Sequence, residues 1–230
     1  MPFGVDEAGK GPALGSMFAA AVYLEDRAAL PDGIADSKRL TPTRREELAT
    51  QLRADDRIAV GVAEITTAQI DEPTTDMNSL AVTAHAEAIA DVLADLESDA
   101  LEGDSISGLC DACDTDADRF ARRVADTYAT TSTFETSIEF EIDARHGADD
   151  DSKLVGAASI VAKVERDAHM AAIADEYGPV GSGYPSDPTT RAFLESYADE
   201  HGDLPPFARE SWSTCETVLA EAQQTGLGQF

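Results

Sequence analysis

The chain has 230 residues, 43% of them hydrophobic, which fits one catalytic domain with a real core and a modest appendage. Its 45 acidic residues stand against 17 basic ones, a net charge of −28. Charge alone argues against a nucleic-acid partner and for a solvated acidic surface of the kind suited to molar salt, where the screening length falls to ~3 Å. The longest clean apolar run, Met17 to Leu24, is far too short to cross a bilayer, and the N-terminus enters a strand-like segment at once, which argues against a signal peptide. Three cysteines, an odd and small number, argue against a disulfide framework, so the expectation is a soluble, cytoplasmic monomer without membrane contact.

In chain order, apolar runs at Phe3–Val5 and Met17–Leu24 predict two early strands. Thr41 or Thr43 then caps a helix to about Arg53, with Glu46 and Glu47 in its first turn, where the helix dipole favours them. A third strand follows at Ile58–Ile65. Asn78 is placed to cap a longer helix reaching about Leu96, with apolar positions at Leu80, Val82, Ala84, Ile89, Val92 and Leu96. After the acidic surface loop Asp99–Ser105 come a strand at Ile106–Cys110, a helix from about Ala117 to Tyr128, a strand at Ile138–Ile142 and a helix from about Gly156 to Tyr177. Pro205 and Pro206 separate a short last helix and a glycine-containing tail. No internal repeat is visible. This order gives an α/β class with a mixed central sheet flanked by helices, divided into a catalytic domain over residues 1–204 and a small C-terminal helical segment and tail over 205–230.

Three acidic constellations carry chemistry. In Gly4-Val5-Asp6-Glu7-Ala8-Gly9-Lys10-Gly11-Pro12, two adjacent acids end an apolar strand and glycines follow, where the backbone can approach a ligand closely. Neighbours on a strand point to opposite faces, so both acids share a site only if the strand ends or twists there. A phosphate-cradling loop fails here, because position 11 is Gly where Ser or Thr should bind magnesium, and two carboxylates inside the loop would repel phosphate. In Leu109-Cys110-Asp111-Ala112-Cys113-Asp114-Thr115-Asp116-Ala117-Asp118 a strand gives way to acids. The alternating aspartates hint at a calcium loop, but that loop needs Gly at Arg119 and Glu at Ala125. Cys110 and Cys113 form a lone C-x-x-C with no second pair. Third, Asp149-Asp150-Asp151 precedes a helix that begins with small residues, an arrangement that alone reads as capping. Together, the three groups are the makings of a magnesium site, since a few carboxylates on rigid elements suffice when substrate phosphate supplies the remaining oxygens.

The segments Asp6–Pro12, Asp36-Ser37-Lys38-Arg39-Leu40-Thr41, Ala157–Asp167 and Gly181-Ser182-Gly183-Tyr184-Pro185-Ser186-Asp187-Pro188 resemble the successive signatures of the ribonuclease HII family, archaeal type, in order and spacing. The likeness runs from Gly4 through Trp212. It implies a ribonuclease H-like fold, two Mg²⁺ or Mn²⁺ ions, and an endonuclease that cuts the RNA strand of RNA–DNA hybrids and 5′ of single ribonucleotides in duplex DNA. The implied metal ligands and catalytic acids are Asp6, Glu7, Asp111 and, counting back without gaps from Ala157, Asp149; Asp150 and Asp151 stay open if the loop length differs.

The resemblance also implies substrate contacts. Gly9-Lys10-Gly11 matches a Gly-Arg-Gly segment whose backbone reads the ribose 2′-hydroxyl. Lys10 stands where Arg is usual, and the two are not equivalent donors. Tyr184 matches a tyrosine that packs on the sugar after the ribonucleotide. The chain's four lysines, Lys10, Lys38, Lys153 and Lys163, all fall inside the motifs, which points to phosphate contact or local pairing, for Lys163 with Asp167 at i+4. The tail residues Gln224, Leu227 and Phe230 follow Q-x-x-L-x-x-F, similar to the peptide with which replication proteins bind the sliding clamp. His85 and His169 read as surface or packed helix residues, and Trp212 as an anchor for the last helix. Rival readings are a ribonuclease HIII-like hybrid nuclease, disfavoured by the Tyr184 motif and an aspartate as fourth acid, and a non-catalytic acidic protein that binds divalent ions.

Overall fold

The computed structural model describes residues 2–24, 26–34, 40–94, 105–131 and 139–227. Its strands are β1 (Phe3–Ala8), β2 (Met17–Leu24), β3 (Ile58–Ile65), β4 (Ser105–Asp111) and β5 (Glu139–Arg145). The helices are α1 (Pro42–Ala54), α2 (Thr67–Ile70), α3 (Met77–Ala94), α4 (Ala117–Thr131), α5 (Ala148–Asp151), α6 (Lys153–Tyr177), α7 (Pro188–His201) and α8 (Ser213–Leu227). The strands form one mixed sheet in the order β3-β2-β1-β4-β5, with β1 antiparallel to β2 and parallel to β4, and β4 parallel to β5. All eight residues of β2 are buried, as its unbroken apolar run requires of a strand covered on both faces.

Alternation along β1 decides what each face meets. Gly4 faces α6 so closely that a Cβ there would lie 2.6 Å from the backbone of Leu154 and Val155, a distance only glycine tolerates. The small residues Ala157, Ala158 and Ser159 of α6 are fully buried and keep the helix near the sheet. Phe3, on the opposite face, stacks on Phe140 of β5 at 5.5 Å, and Phe140 on Tyr128 of α4 at 4.4 Å. Gly108 of β4 makes room for the Phe3 ring, which would stand 1.9 Å from a Cβ at that position.

The helix boundaries follow their caps, with three departures from expectation. Thr41 caps α1 and Pro42 opens it, as the sequence indicates. Asn78, expected as a cap, lies inside the first turn of α3, and α6 begins at Lys153, three residues before the expected Gly156. α8 continues through Gly226 to Leu227 where a loose tail was expected, because tertiary packing of its apolar face outweighs the modest helical cost of one glycine. The end of the long helix expected at Leu96, and most of the Asp99–Ser105 loop, lie outside the described residues.

The chain forms two compact units. The first comprises Met1–Ala8, Phe18–Glu64 and Met77–Glu165. Part of its core joins Ala20, Val22 and Leu24 of β2 to Leu48 and Leu52 of α1 and to Ala158, Ile160 and Val161 of α6. The second comprises Gly9–Met17, Ile65–Asp76 and Arg166–Phe230, with a separate core of Leu14, Met170, Ile173, Leu194, Cys215 and Val218 among others. No helix among the described residues is long and apolar enough to cross a membrane.

Candidate active site

In the first unit the end of β1 carries Asp6 and Glu7, and the two carboxylates diverge as strand alternation demands. Asp6 shares the face of Gly4 and is hydrogen-bonded to Ser159 of α6, whose hydroxyl also accepts from Lys163 Nζ at 2.7 Å. Glu7 leaves on the α3 side, where its Oε2 lies 2.8 Å from Nε2 of His85. Asp6 Oδ1 also accepts the backbone N–H of Glu7 at 2.8 Å.

Asp111 closes β4 opposite Arg145 of β5. Its Oδ1 accepts the backbone N–H of Ala148 at 2.7 Å, which holds the start of α5 against the strand end. α5 then carries three aspartates in a row, of which Asp149 is buried at 5% exposure while Asp150 and Asp151 are exposed.

Burial and crowding set the electrostatics. Loss of solvent, together with the nearby charges of Glu7 and Asp111, pushes the Asp6 carboxyl up to about 8, against the opposing pull of Ser159 and Lys163. The thiol of Cys110 is pushed upward by burial and by the charges of Glu7, Asp6, Asp111 and Asp143, so it is no thiolate ligand. Asp114 of the alternating acids is committed to Arg119, with Oδ1 2.7 Å from Nη2, and is not left over for a calcium loop. Among the described residues no three His, Cys, Asp or Glu side chains stand close enough to hold an ion as they are. Hard cations keep waters that bridge to distant oxygens. The donor set fits such a cation: it offers carboxylate oxygens only, and a positive charge would relieve the burden that raises Asp6.

In the second unit, Gly9-Lys10-Gly11 is an organised loop. Gly9 has a φ of +90°, and a Cβ there would stand 3.0 Å from the Ser16 carbonyl. Arg209, wholly buried, donates to the carbonyls of Gly9 at 2.6 Å, Lys10 at 3.0 Å and Gly15 at 2.9 Å. Trp212, read from sequence as an anchor, donates from Nε1 to the Gly11 carbonyl at 3.3 Å and packs on the second core. Asp71 accepts from the backbone N–H groups of Glu210 and Ser211 and fixes the segment that carries Arg209.

The Gly181–Pro188 turn is equally braced. Gly183 donates to Thr190 Oγ1 at 2.9 Å, and its carbonyl accepts from Ala13 at 2.8 Å. Hydrogen bonds to Asp187 from the Ser182 side chain, the Ser182 backbone N–H at 2.6 Å and the backbone N–H groups of Thr189 and Thr190 hold its carboxyl down at about 2. On this frame Tyr184 is 41% exposed, with the Arg166 guanidinium 5.3 Å from its ring centroid.

Three of these residues, His85, Arg209 and Asp71, carry no local signal of their roles in the sequence. His85, taken for a surface or packed residue, is fully buried against Glu7; its 78-residue separation from that acid left no local signal. Arg209 and Asp71 carry no motif of their own. Lys163 Nζ donates to Ser159 Oγ one turn earlier at 2.7 Å, and Arg166 lies 3.4 Å from Asp167. Lys38 and Phe230 lie outside the described residues; Gln224 is exposed on α8, which Leu227 closes.

A mixed five-stranded sheet with acids at the ends of two adjacent parallel strands and before a close-packed helix defines a metal-dependent endoribonuclease of the ribonuclease H-like fold. Residues 3–215 match the family model "Ribonuclease HII". The chain is 56% identical over 230 residues to the ribonuclease HII of Haloarcula marismortui, covering all of both chains. The crystal structure of the ribonuclease H2 from Pyrococcus horikoshii is similar at a TM-score of 0.82 and 33% identity, over 96% of this chain and 98% of that one. The ribonuclease HII in the PCNA:RNase HII complex from Archaeoglobus fulgidus is similar at 0.77 and 31%, over 95% and 96%. The chain belongs to the ribonuclease HII family, whose activity is endonucleolytic cleavage of RNA–DNA hybrids.

Proposed function

We propose that the chain hydrolyses the RNA strand of RNA–DNA hybrids and also cuts 5′ of single ribonucleotides in duplex DNA, serving replication and ribonucleotide excision repair in the cytoplasm as a monomer. The observation that carries the reading is the placing of Asp6, Glu7 and Asp111 near the ends of two adjacent parallel strands, with Asp6 buried among them. Asp6, Glu7, Asp111 and Asp149 are the residues that would hold Mg²⁺ or Mn²⁺; the burial of Asp149 beside exposed Asp150 and Asp151 favours it as the fourth. Two such ions, when bound, supply activation of the attacking water and stabilisation of the leaving oxygen.

The remaining roles belong to this chain's own groups. Ser159 and Lys163 hold Asp6 in place, and Lys163 is a cation suited to a substrate phosphate. Lys38 and Lys10 are further phosphate contacts. The Gly9–Gly11 backbone reads the ribose 2′-hydroxyl, which separates RNA from DNA. Tyr184, exposed and backed by Arg166, packs on the neighbouring sugar. Gln224, Leu227 and Phe230 bind the sliding clamp; the clamp complex of the Archaeoglobus fulgidus relative supports this.

Cleavage of a duplex with one embedded ribonucleotide, beside a hybrid with a long RNA stretch, tests the reading in Mg²⁺ and in Mn²⁺ across salt. Both substrates are expected to be cut. Cleavage of the long stretch alone would replace the reading with a ribonuclease HIII-like one, and cleavage of neither would end it.

A further inference from the structure

We propose that His85 is a positioning residue for the metal centre, fixing the carboxylate of Glu7 through a buried hydrogen bond from the α3 side of β1. The inference rests on the reading of Glu7 as a metal ligand. His85 lies in the middle of α3, fully buried, its ring edge-on to Phe120 at 5.1 Å. Its Nε2 is 2.8 Å from Glu7 Oε2, while Nδ1 is buried and meets no hydrogen-bond partner. A carboxylate oxygen accepts, so the hydrogen of this bond belongs to Nε2, and the ring orients the Glu7 carboxylate as a donor.

The place of this bond suits the role: buried, it is shielded from the salt that screens the rest of this −28 surface. Holding the carboxylate in one orientation removes the conformational freedom that metal binding would otherwise have to freeze. Groups that hydrogen-bond metal ligands in this way typically account for about 10- to 100-fold in metal affinity.

The test is Mn²⁺ binding to the full chain without substrate, by calorimetry and by the electron paramagnetic resonance signal of unbound Mn²⁺. His85→Phe keeps the ring against Phe120 and removes the donor; it is expected to weaken Mn²⁺ by about 10- to 100-fold while thermal stability without metal holds or rises, since a bare buried nitrogen is gone. His85→Gln returns an N–H donor and is expected to recover most of the loss. In a Glu7→Gln background, His85→Phe should change nothing further. Equal affinity of His85→Phe and the unmodified chain overturns the role of His85. So does a His85→Gln variant as weak as His85→Phe, which would assign the effect to ring shape. An unmodified chain that takes up no Mn²⁺ overturns the metal-site reading itself, and with it this inference.

Discussion

Ala148 donates its backbone N–H to Asp111 Oδ1 at 2.7 Å, so the residue before Asp149 is bonded to another acid of the candidate site. One hydrogen bond thereby fixes the spacing between the end of β4 and the only buried member of the Asp149–Asp151 run.

From this follows a pattern of loss. Asp6→Asn, Glu7→Gln, Asp111→Asn and Asp149→Asn each remove charge while keeping shape. Each is expected to cut turnover by more than the roughly 100- to 1,000-fold that loss of one transition-state hydrogen-bond donor costs. Asp150→Asn and Asp151→Asn are expected to stay within about threefold, because surface substitutions away from a site have small effects. Single-turnover cleavage with a melting curve for each variant checks this. An inactive Asp150 or Asp151 variant beside an active Asp149 variant would move the fourth ligand.

The metal-free protein should lose stability as pH rises. The Asp6 carboxyl is raised from 3.8 to about 8 in the folded chain, so between those values the folded state holds a proton that the unfolded state has released. Its contribution is complete below 3.8 and is lost as pH passes through about 8. Asp187 acts the opposite way: held down at about 2, it stabilises above 3.8 and stops doing so only as pH falls toward 2. Melting in EDTA from pH 5 to 9 should therefore decline, millimolar Mg²⁺ or Mn²⁺ should flatten the decline, and Asp6→Asn should remove it. An undiminished slope in Asp6→Asn would assign the effect elsewhere.

How much of this was legible in the sequence depended on range. β2 and β3 appear with the bounds their apolar runs indicate, because an apolar segment between turn residues leaves a strand little choice. α7 was not foreseen, although Asp187 at its cap, Pro188 at its first position and Gly202 after its end are local stop and start signals. The four acids were legible as strand-end and pre-helix clusters, and the gapless count to Asp149 lands on the acid that is buried. What holds them was not. The partners of Asp6 on α6, of Glu7 on α3 and of Asp111 on α5 are set by tertiary packing, which no local pattern reports.

The substrate loops should separate specificity from affinity. Tyr184→Ala is expected to lower cleavage at a single embedded ribonucleotide by up to about 100-fold, the cost of misplacing a reacting group by about 1 Å, while duplex binding changes far less. Trp212→Phe removes the donor to the Gly11 carbonyl, together with part of the ring that faces the Arg209 guanidinium at 5.0 Å, and should lower the preference for ribonucleotide over an all-DNA duplex several-fold. Arg209→Met leaves three carbonyls without their donor, at roughly 1–3 kcal/mol each, and should lower the melting temperature as well. Equal losses on every substrate for Tyr184→Ala would contradict its packing on the sugar beside the ribonucleotide.

The tail gives a binary test. Calorimetry of purified sliding clamp with the full chain is expected to show one binding site per clamp subunit, abolished in Leu227→Ala/Phe230→Ala and weakened in Gln224→Ala, with cleavage of free substrate unchanged. Equal heats for the double variant and the unmodified chain would remove the clamp from the reading.

Salt should act on this protein in two separable ways. At −28 the surface carboxylates repel one another, and molar salt shortens the screening length to ~3 Å, so the melting temperature in EDTA should climb steadily from dilute buffer to molar KCl. The site adds a second component, recovered by millimolar Mg²⁺ without any change in ionic strength to speak of. Asp6→Asn should lose that second component and keep the first. Substrate affinity should respond weakly: each phosphate contact contributes about −0.9 to the slope of log K against log salt, so six would give about −5. With 17 basic residues in the whole chain, several already committed to carboxylates or carbonyls, the slope should fall well short of that. A melting temperature flat across salt would contradict the repulsion argument. A slope of −5 or steeper would show that phosphate charge, rather than the 2′-hydroxyl, the metals and Tyr184, holds the duplex.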